Sequence, residues 1–290
     1  MQLLVSQLLN GVGLGMIYFL VAVGLTLIFG VMRFVNFAHG VFYLLGAYGV
    51  LTLSEHGANF FVAVVGSIAL VMTFALVLER GVLSRVYELP PFFHILSTFG
   101  VTLMVEEAVR TFWTAAPHRV PTPPSFRGLA TLGPFFYPNY RLVVIAIAMV
   151  CAVALWVFLE RTRYGATIRA GAEHRETVRL LGIDVARLFS FNFVLGAGLA
   201  ALAGALVSPI RGVDPNMGLE ALAIAFVVCV VGGLGSFRGA LVAALLVGIM
   251  QSLATSLWGS GASLVAYLVM MLVLLVKPQG LFAGPGRSTS

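Results

Sequence analysis

Charge is what this sequence has least of. Only 10% of its 290 residues are Asp, Glu, Lys or Arg, against 60% hydrophobic residues and a mean hydropathy of +1.03. Soluble domains carry roughly 25% charged residues, because they must present a polar surface to water. A chain this poor in charge would expose more apolar surface than water tolerates, so lipid is the solvent that fits. Lysine is nearly missing: of 17 basic residues, all are arginine except Lys277. A phosphate-binding Walker loop needs a lysine directly before Ser or Thr, and Lys277 precedes Pro278. The chain therefore carries no Walker motif. Cysteine is scarce too, and Cys151 and Cys229 each sit in an apolar run without a spaced Cys or His neighbour. That pattern speaks for packed thiols rather than a disulfide or a metal, and no cofactor or metal is expected in this chain. His39, His94 and His174 lie far apart, and neither His-x-x-x-His nor Gly-x-Ser-x-Gly occurs. An intramembrane enzyme is disfavoured on those grounds. No charge precedes Arg33, so the basic region of a secretory signal is absent and the first segment reads as a span.

What is present is apolar sequence in helix-length runs. Nine segments can be placed, near 3–31, 39–54, 59–78, 92–113, 141–159, 188–210, 219–234, 239–257 and 262–276. The expected fold is an all-α, polytopic integral membrane protein with about nine transmembrane segments, eight to ten being compatible with the pattern. The chain reads as a single transmembrane domain over 1–290. The first segment is long for one straight crossing, and Gly11, Gly13 and Gly15 within it predict close packing or a bend. The second and seventh are short, as broken or enclosed helices are.

The basic residues set the orientation. Taking 160–187 as cytoplasmic and alternating the spans, Arg33, Arg80, Arg85, Arg161, Arg163, Arg169, Arg175, Arg179, Arg187, Arg238, Lys277 and Arg287 fall inside. Arg110, Arg119, Arg127, Arg141 and Arg211 fall outside. This positive-inside bias places the N-terminus outside and the C-terminus in the cytoplasm. Basic residues confined between spans serve orientation, and nucleic acid is not an expected partner.

Residues 114–141 are rich in Pro and Gly and carry Phe135, Phe136 and Tyr137, which reads as an external loop with an aromatic belt. Residues 160–187 are polar and helical in pattern. Glu173 and Glu176 fall early in a helix and Arg179 late, Gly182 supplies a stop, and Asp184 can cap the next span. Such a helix is either a handle for a soluble partner or a solvated connector. Asn36-Phe37-Ala38-His39-Gly40 joins the first two spans, where Asn36 can cap a helix and Gly40 permits close approach. A discontinuous helix here would aim N–H groups at an anionic ligand. His39 is a pathway candidate, although a lone His at a helix start more often makes a structural hydrogen bond. The run Gly232-Gly233-Leu234-Gly235-Ser236-Phe237-Arg238-Gly239 looks like a phosphate loop only superficially and reads as a tight hairpin. Glu106 and Arg110, four apart near one end of the fourth span, read first as an ion pair. Gly30-Val31 with Asn36, His39 and Gly40 is echoed by Gly212-Val213 with Asn216 and Gly218, a faint inverted repeat.

Together these residues resemble the permeases of branched-chain amino-acid ABC importers, LivH type. The resemblance runs along nearly the whole chain. It rests on Gly24-Leu25 with Phe29-Gly30-Val31, Asn36 to Gly40, Gly46-Ala47-Tyr48 and Thr98-Phe99-Gly100. Arg161 to Gly165, Arg169-Ala170, Leu181-Gly182-Ile183-Asp184, Val231 to Ser236, Gly239-Ala240 and Lys277 to Phe282 complete it. Val41 departs from a small or acidic residue common among relatives, which bears on the substrate rather than the family. The resemblance implies a bacterial inner-membrane permease with a second, LivM-like permease subunit, two ATP-binding subunits that hold ATP and Mg, and a periplasmic substrate-binding protein. It implies that Arg169, Glu173, Glu176, Arg179, Gly182 and Asp184 couple to an ATPase. A path near Asn36, His39, Thr98, Gly233 and Ser236 is the accompanying expectation. The rival is an ion-coupled secondary transporter or channel with broken helices, for which only Glu106 and Glu107 offer intramembrane charge.

Overall fold

The computed structural model describes residues 2–282 apart from 33, 88, 133–134, 174–179 and 181. Every apolar segment anticipated above is helical. In chain order the helices are α1 (Gln2–Met32), α2 (His39–Glu55), α3 (Phe60–Gly81), α4 (Pro91–Trp113), α5 (Asn139–Arg161), α6 (Arg163–Glu173), α7 (Val185–Arg211), α8 (Met217–Gly232), α9 (Phe237–Trp258) and α10 (Ala262–Val276). Among the described residues α1, α3, α4, α5, α7 and α9 are long and apolar enough to cross a membrane, and α8 and α10 are shorter apolar helices. The chain is a polytopic α-helical membrane protein.

Helix α2 is different in kind. His39, Gly40, Val41, Phe42, Tyr43 and Leu44 are consecutive and all buried, and a helix enclosed on every side lies within protein rather than against lipid. Helices α7, α3 and α8 pack around it. Helices α1 and α7 are the most enclosed spans, with 72% and 67% of their most apolar stretches buried, against 28% in α4 and in α5. Helix α1 runs unbroken and packs most extensively on α9. The glycines explain the closeness: a Cβ on Gly15 would stand 2.8 Å from the Ala244 carbonyl oxygen. Small residues at such a crossing let helix backbones meet directly, a recurrent device where lipid removes the hydrophobic drive to associate.

The Pro- and Gly-rich connection over 114–141 holds more structure than its composition promised. A 3₁₀ turn at Pro124–Phe126 precedes a hairpin of β1 (Leu129–Leu132) and β2 (Phe135–Pro138), paired antiparallel with Ala130 opposite Tyr137. The aromatic belt is thus divided: Phe136 is exposed, whereas Tyr137 turns inward and donates to Asn10 Oδ1 at 3.1 Å. Arg141 donates to the same oxygen.

Helix ends gather at two poles. At one, Gly30 lies beside Gly235, and Glu160 sits 3.9 Å from Arg169 and 3.8 Å from Arg238. The segment after α10 joins this pole, with Leu281 N–H donating to Val231 O at 2.8 Å and Phe282 N–H to Gly232 O at 3.1 Å. At the other, Trp113 Nε1 donates to Thr52 Oγ1 at 2.9 Å, and His118 bridges to Val213.

Two helix starts meet between those poles. Ala38 N–H donates to Asn36 Oδ1 at 3.0 Å just before α2, and Asn216 N–H donates to Asp214 Oδ1 at 2.9 Å just before α8. His39 N–H reaches Asn36 O, as Met217 N–H reaches Asp214 O. A Cβ on Gly40 would meet Gly218 O and Leu222 Cβ, and one on Gly218 would meet Gly40 O and Leu44 Cβ. Asn36, Ala38, His39, Gly40 and Leu44 thus correspond at one constant spacing to Asp214, Asn216, Met217, Gly218 and Leu222. The faint repeat has a structural counterpart, but in a different register: the partner of Asn36 is Asp214, not Asn216.

Candidate functional site

The expected path residues from the first connection are packed, not open. His39 is wholly buried and its Nε2 lies 2.9 Å from the carbonyl of Val21, in the middle of α1. Helix α2 therefore starts inside the bundle, about 16 Å from the Met32 end of α1 at 1.5 Å per residue. Residues 34–38 lead back into the bundle to reach it. Asn36 does not cap α2 with its side chain, as composition suggested. It closes an Asx turn on Ala38, and Ala38 occupies the cap position without a side-chain bond. Asn36 Nδ2 and His39 Nδ1 are buried without a hydrogen-bond partner.

Thr98 holds this junction from α4. Its Oγ1 accepts from Phe37 N–H at 3.3 Å and donates to His94 O at 2.8 Å, and Thr102 Oγ1 lies 3.1 Å from Phe37 O. Thr98, Thr102, Glu106 and Arg110 recur every four residues and so line one face of α4. That geometry corrects the expected ion pair. Arg110 Nη2 donates to Asn216 Oδ1 at 2.8 Å, no salt bridge joins it to Glu106, and Glu106 Oε1 is buried without a partner. The same helix face thus touches both junctions, through Phe37 and through Asn216.

Two cavities open along the bundle. One, of about 250 Å³ at the Gly235 pole, is lined by Thr26, Glu160, Arg169, Gly235, Ser236 and Arg238 among others. Ser236 caps α9, accepting from Gly239 N–H at 3.1 Å. Gly233 has a φ of 96° and packs its backbone against Gly280. Gly233 and Ser236 therefore lie together at one pole, apart from the cluster of Asn36, His39 and Thr98. The second cavity, of about 380 Å³, lies between α1, α8, α9 and α10 and contains the Arg211–Glu220 ion pair at 3.2 Å.

Of the residues expected to couple to a partner, Arg169 faces Glu160 as described, and Glu173 ends α6. Gly182 has a φ of 78°, and Asp184 caps α7 by accepting from Arg187 N–H at 3.1 Å. Glu176 and Arg179 lie outside the described residues.

Sequence reasoning missed two polar groups. Glu79 is buried on α3, between hydroxyls of Tyr87 and Ser190. Its spacing of four from Ser67, Val71 and Ala75 marks the buried face of α3, the one signal that a charge at a span's end turned inward. The sequence presents Arg211 only as a charge in the connection before α8 and gives no sign of its partner Glu220. Among the described residues no three His, Cys, Asp or Glu side chains gather as metal ligands would.

Comparison with known proteins matches residues 7–276 to the family described as branched-chain amino acid transport system / permease component. The chain is 30% identical to the high-affinity branched-chain amino acid transport system permease protein LivH of Escherichia coli K12, over 97% of this chain and 96% of that one. It is 29% identical, with the same coverage, to BraD of Pseudomonas aeruginosa, a permease protein of the same description. The fructose import permease protein FrcC of Rhizobium meliloti is 29% identical over 68% of this chain and 56% of its own. No solved structure matches it. Six membrane-length and two shorter apolar helices among the described residues, two interior helix starts and a family match over residues 7–276 agree, and the chain belongs to the branched-chain amino-acid transport system permease family.

Proposed function

We propose that this chain is one permease subunit of an ATP-driven importer that moves branched-chain or related amino acids across the bacterial inner membrane. The observation that carries the reading is coverage: the family match runs over residues 7–276, and the likeness to LivH spans both proteins almost completely. With no Walker motif, the chain depends on two ATP-binding subunits that bring ATP and Mg. A LivM-like second permease and a periplasmic substrate-binding protein complete the assembly. The nine spans alternate with the N-terminus outside and the C-terminus in the cytoplasm, which puts the Gly235 pole inside.

Segment 160–187 is the coupling element in this reading. Arg169, Glu173, Glu176, Arg179, Gly182 and Asp184 form the stretch that the ATPase grips. The Glu160 carboxylate, between Arg169 and Arg238, offers a link from α6 to the turn before α9. Exposed pairs at such distances contribute little stability, so their value lies in registering the movement of α6. The turn at Gly233 and Ser236 and the junction at Asn36, His39 and Thr98 lie along the moving path. The pairing of Gly40 with Gly218 supports an inverted repeat, in which α2 and α8 run oppositely from a shared interior origin.

A second reading keeps the architecture and changes the solute to a neutral sugar. The likeness to FrcC favours it over 68% of the chain. Co-expression of the tagged chain with its genomic neighbours tests the main reading. ATPase subunits and a second permease should co-purify, and Gly182→Arg or a deletion within 172–181 should release the ATPases. A chain that purifies alone and moves solute into liposomes without ATP would overturn it.

A further inference from the structure

The second cavity holds an ion pair between the end of α7 and the start of α8. Arg211, the last residue of α7, reaches Glu220 in the first turn of α8 at 3.2 Å. Both line the cavity with Tyr18 and Val21 of α1. Those two residues sit roughly 16–21 Å from the Met32 end of α1, whereas Arg211 stands two residues before Val213 at the pole of His118, so the cavity runs from that pole toward the interior of the bundle. The side chains of Arg211 and Glu220 are 57% and 58% exposed in the isolated chain. Charges at the mouth of such a cavity face water or another protein surface rather than lipid. The cavity is therefore part of a polar passage or of the seam with the second permease, and its opposite charges are accessible.

The chemistry of the walls is divided. Tyr18 Oη donates to Gln251 Oε1 at 2.8 Å, and Ser263 and Tyr267 add hydroxyls from α10. Ile17, Val21 and Ile224 supply an apolar surface beside them. A volume of about 380 Å³ falls in the range of small-molecule sites, which combine apolar walls with a few fixed polar groups.

We infer that this cavity is a transit site for a zwitterionic α-amino acid with an apolar side chain. Arg211 receives the carboxylate through its forked guanidinium, Glu220 receives the ammonium, and the wall of Ile17, Val21 and Ile224 receives the side chain. With no solute present the two charges satisfy each other, and the zwitterion exchanges one ion pair for two. A neutral sugar brings nothing to offset separating them, so the site discriminates between the two readings of substrate class. The inference rests on the amino-acid reading given above and specifies where it acts.

The assembled complex in nanodiscs tests it, with radiolabelled leucine as the probe. Arg211→Gln and Glu220→Gln should each weaken leucine binding by at least about tenfold, while co-purification of the subunits shows that the variants assemble. The exchange Arg211→Glu with Glu220→Arg restores an ion pair but inverts its polarity against the fixed walls, so leucine binding should stay lost. Recovery of binding in the exchanged protein, or unchanged binding in both single variants, would overturn the inference in favour of a structural pair. Wild-type complex in vesicles separates the two levels. If it imports leucine with ATP while the variants bind leucine normally, only the site falls; if it neither binds nor imports leucine, the amino-acid reading falls and the site with it.

Discussion

Ser190 donates to Glu79 Oε2 at 2.6 Å, joining the first turns of α7 to the last turn of α3, while Tyr87 Oη holds the other oxygen at 2.9 Å. Glu79 is only 2% exposed, so this carboxylate is served by hydroxyls rather than by water. Its removal should be felt as lost stability. Leaving a buried donor without an acceptor costs about 1–3 kcal/mol. Glu79→Leu deprives Ser190 of its acceptor, whereas Glu79→Gln keeps one carbonyl oxygen in place. The melting temperature of the assembled complex in detergent should fall in the order wild type, Glu79→Gln, Glu79→Leu. A Glu79→Leu complex melting with the wild type would remove Glu79 from the framework.

The meeting of the two helix starts makes a graded prediction. A Cβ on Gly40 would lie 2.2 Å from the Gly218 carbonyl oxygen, and one on Gly218 would lie 3.0 Å from Gly40 O. Overpacking a tight contact costs about 1–3 kcal/mol and more where backbone must move. Gly40→Ala should therefore reduce the yield of folded complex sharply and Gly218→Ala moderately. Gly100→Ala, whose Cβ meets nothing within 4 Å, is the control that should leave yield unchanged. Equal yields for all three would mean that the two starts do not touch.

Much of this was legible in the sequence where the physics is local. Asp184 was readable as a cap because a cap needs only the next few residues, and hydropathy located the helices because lipid-facing and enclosed spans alike are apolar. Depth was not legible. Hydropathy reports apolar content, and nothing in Ala38-His39-Gly40 says that α2 begins inside the bundle rather than at its surface. The four-residue spacing on α4 was visible, but the partner of Arg110 is Asn216, remote in sequence, so the local pairing with Glu106 was the natural misreading. Arg211 and Glu220 were missed for the same reason, since a helix break separates them. The repeat was visible in composition and misregistered, because glycine is too common here to fix an alignment without the Asx turns.

The grip of α4 on the first junction can be tested at one atom. Thr98 Oγ1 accepts from the backbone N–H of Phe37, and residues 34–38 have no helix partner for that group. Thr98→Val preserves shape but removes the acceptor, and an orphaned buried N–H costs about 1–3 kcal/mol. Thr98→Ser keeps the oxygen. The complex carrying Thr98→Val should lose several degrees of melting temperature and a large share of its uptake, with Thr98→Ser close to wild type on both. If the two variants behave alike, the methyl group of Thr98 matters rather than its hydroxyl.

Orientation is the prediction with the widest reach, because coupling and solute access both depend on it. The two poles of the bundle carry different groups, and the arginine bias assigns the pole of Gly235 to the cytoplasm. Cys151 is half-buried and Cys229 buried, so both are first replaced by alanine to leave a silent background. Ala116, exposed in the loop after α4, and Ala186, exposed at the start of α7, are then converted singly to cysteine. In intact cells a membrane-impermeant maleimide should label Ala116→Cys from outside and reach Ala186→Cys only after the membrane is opened. The reverse pattern would invert the topology, put segment 160–187 out of reach of any cytoplasmic ATPase, and remove the coupling role proposed for it. Labelling of both from outside would break the alternation itself, since an odd number of crossings must separate residue 116 from residue 186. Helix α5 is the crossing between them in this fold, and its 23 residues, apolar except near the ends, leave it no other place to lie.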